Sequence, residues 1–282
     1  MRWQGRAGSG NVEDRRGMGM ALPVGGGIGG LVLVLLISAL TGTNPIDIIN
    51  SSPSSSESVG TAGSESIEND PQAKFVSVVL KSTEEVWGEV FREQGAGYQE
   101  PRLVLFTDAT QSACGVGQSA MGPFYCPVDQ KVYLDLSFFR DLDTRFGAPG
   151  DFAQAYVVAH EVGHHVQTLT GVSERVHAMR QRSSERQANQ LSVQQELQAD
   201  CYAGVWGHHA GRRQGLLDPG DAEEGLRAAA AIGDDRLQKQ SQGRVAPESF
   251  THGSSDQRVQ WLRKGMENGR MEACDTFNAG TF

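Results

Sequence analysis

The spacing of apolar residues divides this chain of 282 residues into four parts. Residues 1–20 are mainly polar with an excess of Arg, residues 21–40 are almost entirely apolar, and residues 41–72 are rich in Ser and Gly. From residue 73 to residue 282, apolar positions recur at the spacings of helices and short strands. We therefore predict one folded domain over residues 73–282.

Within residues 73–282 the pattern predicts mostly helices and two strands. The predicted helices are Ala73–Gln94, a short helix capped by Ser137 and ending at Phe146, a helix over residues 152–169, a long polar helix from Arg175 through Gln195 and into residues 196–206, and a helix that opens at Asp218-Pro219 and ends at Leu237. The predicted strands are Arg102–Thr107 and Lys131–Leu136. Ser254 and Gln257 have the spacing of a capping box at the start of a last helix.

Residues 21–40 carry no charged side chain and have the length of roughly 20 residues that a bilayer span needs. Arginines precede them, and Asp47 and Glu57 follow. The positive-inside rule predicts a single-pass helix in the cell (inner) membrane, with residues 1–20 in the cytoplasm and the domain extracytoplasmic. The alternative is a cleaved signal peptide. Both the apolar run and the stretch before it are longer than is usual for one, which favours the uncleaved helix.

Residues 41–72 form a predicted disordered linker, because their Ser-rich and Gly-containing runs offer nothing to bury. A coil of this length spans on the order of 30 Å root mean square, which would keep the domain near the membrane. The net charge of −9, from 34 acidic and 25 basic side chains, argues against a nucleic-acid-binding protein, which would normally present a basic face.

The predicted helix over residues 152–169 contains the sequence H-E-x-x-H, from His160 to His164. Residues four apart lie on one helical face, so the two imidazoles can converge on one Zn²⁺ ion. Glu161 would take the proton from a zinc-activated water. The alternative is a chance match on a surface helix. The apolar neighbours Val157 and Val166 indicate a buried helix, on which unpaired polar groups are costly.

A second pair of acidic residues follows at the spacing E-x-x-x-D, which places Glu196 and Asp200 on one helical face. We predict that Glu196 is the third protein ligand of the zinc. Asp200 would accept the other imidazole N–H of a ligand histidine, with His160 expected, and so fix its tautomer. The alternative is an exposed acidic face, but Leu197 and Trp206 indicate a partly buried helix.

Two further residues are candidates for stabilising the oxyanion that forms when water attacks a carbonyl, namely His252 and Arg258. The alternative for His252 is that it only packs in its turn. The strand Lys131–Leu136 also has two interpretations: a sheet edge that binds substrate as an added strand, or a central structural strand. His165 follows a ligand and points about 100° away from it, so we do not expect it to bind the metal.

The four cysteines are Cys114, Cys126, Cys201 and Cys274. In an oxidising compartment Cys114 and Cys126 would close a Gly-rich loop as a disulfide, which leaves Cys201 and Cys274 as the second pair. The alternatives are free buried thiols or half of a four-thiolate metal site. Neither pair has C-x-x-C spacing, which disfavours the metal site. The disulfide prediction depends on the predicted extracytoplasmic location of the domain.

Several motifs carry a family resemblance. They are Met1-Arg2-Trp3-Gln4-Gly5-Arg6 with Asn11-Val12-Glu13-Asp14-Arg15-Arg16-Gly17, the block from Cys114 to Phe139, the run from His160 to Gln167, and Glu196-Leu197-Gln198-Ala199-Asp200-Cys201. Together they resemble the putative neutral zinc metallopeptidase family of bacterial membrane proteins. The resemblance implies a zincin-like fold, one amino-terminal membrane helix and peptidase chemistry. The fold class expected is α+β, mainly helical with a small antiparallel sheet.

Two local likenesses add to this. The E-x-x-x-D that follows H-E-x-x-H is similar to the Glu-zincin group, which supports Glu196 as a ligand. The segment from Thr251 to Arg258 looks like the T-H-P…R segment of membrane-associated zinc proteases, with Gly253 where Pro is usual.

The sequence thus predicts a membrane-anchored zinc endopeptidase with one Zn²⁺ ion and a protein or peptide substrate. The alternatives are a zinc-containing binding or scaffolding protein, and a zinc hydrolase that acts on a non-peptide bond. An intact Glu161 disfavours the first of these, because a structural zinc site needs no base. Cleavage preference, oligomeric state and regulation are not predicted.

Overall fold

The structure is a computed structural model that describes residues 1–17 and 67–278. The predicted transmembrane helix over residues 21–40, and nearly all of the linker over residues 41–72, lie outside the described residues. Among the helices that are described, none has both the length and the apolar character needed to cross a membrane.

Helices dominate the described part of the chain. In chain order they are α1 Pro71–Glu93, α2 Ser137–Thr144, α3 Asp151–Leu169, α4 Val172–Arg180, α5 Glu185–Arg212, α6 Asp221–Ala231, α7 Asp234–Gln242 and α8 Ser255–Asn268, with short 3₁₀ turns at Ser119–Met121, Pro247–Ser249 and Met271–Cys274. Helix α3 is almost entirely buried, with α5, α6 and α1 packed around it. The element that carries H-E-x-x-H is therefore the centre of the domain.

The strands are short. They are β1 Val12–Asp14, β2 Arg102–Phe106, β3 Ala109–Ser112, β4 Gly115–Gln118, β5 Phe124–Cys126 and β6 Lys131–Asp135. One sheet has the order β1-β2-β6-β5, and β3 and β4 form a separate hairpin. The α+β class, mainly helical with small sheets, is as predicted.

The predicted antiparallel sheet is wrong in strand direction. Strands β1, β2 and β6 run parallel, and only β5 is antiparallel to its neighbour β6. Parallel neighbours need a long crossover, and residues 107–130 supply it between β2 and β6. Strand β6 also lies between two other strands, so the interpretation of Lys131–Leu136 as a central strand is correct and β5 forms the edge.

The start of the chain belongs to the domain, which corrects the predicted boundary at residue 73. Strand β1 pairs in parallel with β2, with Val12 opposite Leu103. The indole of Trp3 stacks edge-on against Phe75 at a centroid distance of 5.3 Å. Arg16 pairs with Asp14 and Asp70. Residues 1–20 were predicted to be a separate, cytoplasmic basic segment because a three-residue strand has no periodic signal of its own.

Two predicted helices are interrupted. The polar helix from Arg175 through Gln195 divides at residues 181–184, where Ser184 and Gln187 form a capping box that starts α5. The helix predicted from Asp218-Pro219 to Leu237 starts only at Asp221 and breaks at Gly233. A Cβ on Gly233 would lie 2.4 Å from the backbone N of Ser255, so the break lets the start of α8 approach closely.

Glycines also set the distances between the helices that form the site. A Cβ on Gly163 of α3 would lie 2.9 Å from the carbonyl oxygen of Ala199 on α5. A Cβ on Gly265 of α8 would lie 2.0 Å from the carbonyl oxygen of Cys201. Helix α5 is therefore held tightly between α3 and α8, and Gly163, inside the H-E-x-x-H sequence, allows α5 to bring its own carboxylates next to the histidines.

Candidate metal centre

Three side chains from two helices converge on one point. His160 and His164 lie one turn apart on α3, with ring centroids 4.8 Å apart. Glu196 on α5 faces both rings: its Oε2 lies 3.2 Å from Nε2 of His160, and its Oε1 lies 3.4 Å from Nε2 of His164. The close approach of α3 and α5 at Gly163 makes this arrangement possible.

The geometry fits a zinc ion. One ligand atom from each of these three residues lies within 4.8 Å of the others, which makes them a candidate metal-binding group. Ligands at about 2.0–2.2 Å from a tetrahedral zinc are separated from one another by roughly 3.3–3.6 Å. The separations of 3.2 and 3.4 Å are close to that range. Two His and one Glu also form a donor set of catalytic zinc sites, which keep a fourth position for water.

His160 is held from behind by a buried charged cluster. Its Nδ1 lies 2.8 Å from Oδ1 of Asp200, as the helical spacing predicts. The guanidinium of Arg258 donates to the same carboxylate through Nε and Nη2, at 2.9 and 3.0 Å. The hydroxyl of Tyr156 donates to Asp200 at 2.5 Å and accepts from Arg258 at 3.1 Å. Asp200 is fully buried and Arg258 nearly so.

This cluster sets the charge states around His160. Burial alone would raise the pKa of the Asp200 carboxyl, but Arg258 and His160 hold that pKa at about 2. Burial would likewise lower the pKa of His160, but the charge and hydrogen bond of Asp200 and the hydrogen bond of Glu196 raise it to about 10. Asp200 is therefore an ionised acceptor, and Nδ1 of His160 is the donor, which leaves Nε2 directed at Glu196.

His164 has a different, uncharged support. Its Nδ1 lies 2.9 Å from Oε1 of Gln167, which is fully buried on the same helix. Glu196 carries the negative charge of the ligand group: burial opposes ionisation, but the two imidazoles hold its pKa well below the usual value.

Glu161 is the carboxyl of H-E-x-x-H that is not part of the ligand group. It is buried, with 8% of its surface exposed, yet it lines the cleft in front of the histidines. Burial raises the pKa of Glu161, and the neighbouring imidazoles of His160 and His164 act against that rise. A carboxyl whose pKa is raised towards neutrality is suited to accept and return a proton.

The cleft has a volume of about 1040 Å³. Residues between 119 and 127, which include part of the edge strand β5, line it together with residues of α2, α3, α4, α5, α7 and α8 and with His252. Its size is at the upper end of the range for ligand pockets, and it opens to solvent.

His252 and Arg258 have separate positions. His252 lines the cleft, with its side chain about half exposed, and its Nδ1 lies 3.2 Å from Oδ1 of Asp234. That hydrogen bond raises the pKa of His252. The Arg258 guanidinium donates hydrogen bonds to Asp200, to Tyr156 and, at 3.3 Å, to the carbonyl oxygen of Ile232. Of the two oxyanion candidates, Arg258 therefore has its guanidinium paired within the protein, where it supports Asp200, and His252 is the more exposed.

His165 points away from the metal group, as predicted. Its Nε2 lies 2.6 Å from the carbonyl oxygen of Gln99, and its Nδ1 lies 3.0 Å from the hydroxyl of Tyr125 on the edge strand. Because the carbonyl can only accept, Nε2 donates and Nδ1 accepts from Tyr125. His165 therefore ties the sheet edge to α3 along the cleft.

Both predicted disulfides are formed. Cys114 and Cys126 close the loop between β3 and β5, and Cys201 and Cys274 tie α5 to the end of the chain. No free cysteine remains. Cys201 directly follows Asp200, so the second disulfide fixes α5 next to a residue that supports the metal centre.

Sequence reasoning missed Tyr156 and Gln167. The apolar neighbours of Tyr156 indicate burial and do not point to a partner for its hydroxyl. Its position one turn before His160 was the available signal, since residues four apart share a helical face. The same argument, at a spacing of three, connects Gln167 to His164. Neither signal identifies the partner on α5, which depends on tertiary packing.

Two histidines and a glutamate around one point, with a second carboxyl beside them on a buried helix, define a centre of the zinc-metallopeptidase type. The chain belongs to the family described as "putative neutral zinc metallopeptidase", which residues 1–277 match. The family predicted from the motifs is thereby confirmed.

The curated relatives of the chain carry no assigned activity. It is 50% identical to the uncharacterized protein YpfJ of Escherichia coli strain K12 over 286 aligned residues, which cover 98% of this chain and 99% of that protein. It is 43% identical to the uncharacterized protein Rv2575 of Mycobacterium tuberculosis strain H37Rv over 216 residues, which cover 73% of this chain and 72% of that protein. No solved structure matches the chain significantly.

Proposed function

We propose that this protein is a zinc-dependent peptidase that hydrolyses peptide bonds with a metal-activated water, and that it holds one Zn²⁺ ion. The observation that carries the proposal is the convergence of His160, His164 and Glu196 in an open cleft with Glu161 beside them. Family membership supports the same class of chemistry.

Each residue has a distinct task in this proposal. When bound by His160, His164 and Glu196, Zn²⁺ would lower the pKa of a water molecule and polarise a carbonyl. Glu161 takes the proton of the attacking water and returns it to the leaving amine. His252, whose raised pKa favours its protonated form, donates to the oxygen that becomes negative.

The substrate would lie along the exposed edge of β5. Strand β5 is the outermost strand of the sheet, and its residues Phe124 and Tyr125 line the cleft. An extended peptide that adds to a strand edge is held by backbone hydrogen bonds, which demand little of its sequence. This role was one of the two interpretations of Lys131–Leu136, but β6 has neighbours on both sides.

The variant Glu161→Gln tests the reaction. We expect it to retain zinc, measured by elemental analysis, and to lose nearly all cleavage of an unbiased peptide library. Undiminished cleavage would contradict the role of Glu161. A parent protein that binds zinc but cleaves no peptide would favour the binding-protein alternative, or a zinc hydrolase of a non-peptide bond.

We further propose that residues 1–17 and the domain lie on the same side of any membrane with which the protein associates. Strand β1 is hydrogen bonded to β2, and Arg16 is paired with Asp70. A single crossing between residues 17 and 67 would put these partners on opposite sides. The two disulfides favour an extracytoplasmic location for both parts.

Cysteine labelling tests this placement. Gly10→Cys and Glu267→Cys introduce exposed thiols in residues 1–17 and in α8, respectively. In spheroplasts that express the full chain, we expect a membrane-impermeant maleimide to label both thiols, or neither until the cells are lysed. Labelling of Glu267→Cys alone before lysis would restore the single-pass arrangement with residues 1–20 in the cytoplasm, and labelling of Gly10→Cys alone would contradict both arrangements.

A further inference from the structure

A chain of buried amides connects His164 to the opposite side of α5. Oε1 of Gln167 lies 2.9 Å from Nδ1 of His164. Nε2 of Gln167 donates to the carbonyl oxygen of Gln195 at 2.7 Å and to Oε1 of Gln198 at 3.1 Å. Nε2 of Gln198 donates to the carbonyl oxygen of Cys274 at 3.0 Å. Gln167 is fully buried and Gln198 is 6% exposed.

Two backbone carbonyls fix the direction of this chain. A carbonyl oxygen only accepts, so the amide nitrogen of Gln167 must face Gln195, and the amide nitrogen of Gln198 must face Cys274. Oε1 of Gln198 is then turned towards Gln167, and Oε1 of Gln167 is turned towards His164. Both requirements give the same direction, because a flip of either amide would leave two acceptors or two donors facing each other.

The tautomer of His164 follows from this direction. Since Oε1 of Gln167 only accepts, Nδ1 of His164 must carry a proton and donate it. In the neutral imidazole, Nε2 then has the free lone pair, and this atom lies 3.4 Å from Oε1 of Glu196, inside the metal-binding group.

We propose that Gln167 and Gln198 are positioning residues that fix the tautomer and orientation of His164, and thereby set the affinity of the centre for zinc. The inference rests on the proposed zinc site, but not on hydrolysis. Neither glutamine touches the reacting atoms; Gln167 acts through His164, and Gln198 acts through Gln167.

The expected size of the effect differs between the two positions. Loss of a partner that orients a metal-binding histidine typically weakens metal affinity by about 10–100-fold. We expect Gln167→Met, which removes the acceptor of His164, to weaken zinc binding by about that factor. Gln198→Met should have a smaller effect of the same sign, because Gln167 keeps its bond to the carbonyl of Gln195.

The experiment measures the zinc dissociation constant of the full chain by competition with a chelator. Gln154→Met is the matched control, since Gln154 is a half-buried residue on the same helix and carries the same substitution. Its affinity should equal that of the parent. Proton NMR of the zinc-loaded proteins is the second readout: the hydrogen-bonded Nδ1–H resonances of His160 and His164 are expected in the parent, and that of His164 is lost in Gln167→Met.

The outcomes separate the inference from the proposed function. Equal zinc affinity in the parent and in Gln167→Met, with the His164 resonance retained, would overturn the inference and leave the zinc site in place. If Gln167→Met does not fold, Gln198→Met decides: weaker zinc binding than Gln154→Met supports the chain of amides, and unchanged binding overturns it. A parent that takes up no zinc would overturn both proposals.

Discussion

The two histidines of the candidate centre are supported in physically different ways. Behind His160 is an ion pair between Asp200 and Arg258, joined by the hydroxyl of Tyr156. Behind His164 is the neutral amide of Gln167. A buried charge must be matched by another buried charge, so the support of His160 requires a guanidinium from α8. A neutral amide needs only acceptors for its N–H groups and donors for its oxygen, and here backbone carbonyls supply the acceptors.

This difference predicts unequal consequences when a support is removed. Removal of one partner of a buried ion pair leaves an uncompensated charge, at a cost of about 3–5 kcal/mol. An unsatisfied neutral amide costs less, about 1–3 kcal/mol. Substitution of a residue that supports His160 should therefore reduce both folding stability and zinc affinity. Substitution of a residue that supports His164 should reduce zinc affinity more than stability.

The largest expected effect is that of Arg258→Met. The substitution keeps much of the side-chain volume but leaves Asp200 ionised and buried beside His160. We expect the free energy of unfolding of the metal-free protein to fall by about 3 kcal/mol, the lower end of the cost of an unpaired buried charge, because His160 remains a partner of Asp200. Urea denaturation measures this change. Arg263→Met, at an exposed position of the same helix, is the control and should change stability by less than about 0.5 kcal/mol.

A double variant sharpens this test. In Asp200→Asn combined with Arg258→Met, neither charge is left alone, so the loss of stability should be smaller than in Arg258→Met. If the double variant is the less stable of the two, the buried charge of Asp200 is not the source of the cost, and the contrast between the two supports would not hold.

How far the sequence could predict this centre depends on how local each contact is. The pairing of His160 with His164 follows from helical spacing, and the spacing from Glu196 to Asp200 led to the contact with His160. The Asp200–Arg258 pair joins residues 58 positions apart, and helical spacing does not relate them. Sequence reasoning therefore gave Arg258 a different role.

The rest of the fold shows the same limit. Helix α1 and strands β2 and β6 were predicted within one or two residues, because each has its own apolar pattern. Strand β1 has three half-buried residues and exists only through its pairing with β2, so nothing local predicts it. The amide chain behind His164 ends on two backbone carbonyls, which no side-chain pattern reveals.

Gly163→Ala tests the close approach of α3 and α5, on which the supports of both histidines depend. Gly163 lies between the two histidines, and a Cβ there would lie 2.9 Å from the carbonyl oxygen of Ala199, so α3 and α5 must separate. Alanine is otherwise favoured in a helix by about 1 kcal/mol, but the clash with backbone should outweigh this and reduce stability by about 2–3 kcal/mol. Zinc affinity should also fall, because Glu196 moves with α5.

Gly88→Ala is the matched control for that variant. Gly88 is inside helix α1, and nothing lies within 4 Å of the position of a Cβ there. This substitution should therefore stabilise the protein by roughly 0.5–1 kcal/mol, the opposite sign to Gly163→Ala. A stabilising effect at both glycines would mean that α3 and α5 are not held at the distance that the centre requires.

Among the variants of the centre itself, the smallest expected effect is that of Tyr156→Phe, which removes one hydroxyl from the charged support of His160. Asp200 keeps Arg258 and His160 as partners, so we expect a loss of roughly 1–2 kcal/mol in the free energy of unfolding, and weaker zinc binding. Tyr98→Phe is the control, because the hydroxyl of Tyr98 is buried without a hydrogen-bond partner among the described residues. Its removal should be neutral or slightly stabilising. If the two substitutions reduce stability equally, the Tyr156 hydroxyl adds nothing to the charged cluster, and the contrast between the supports of the two histidines rests on Arg258 alone.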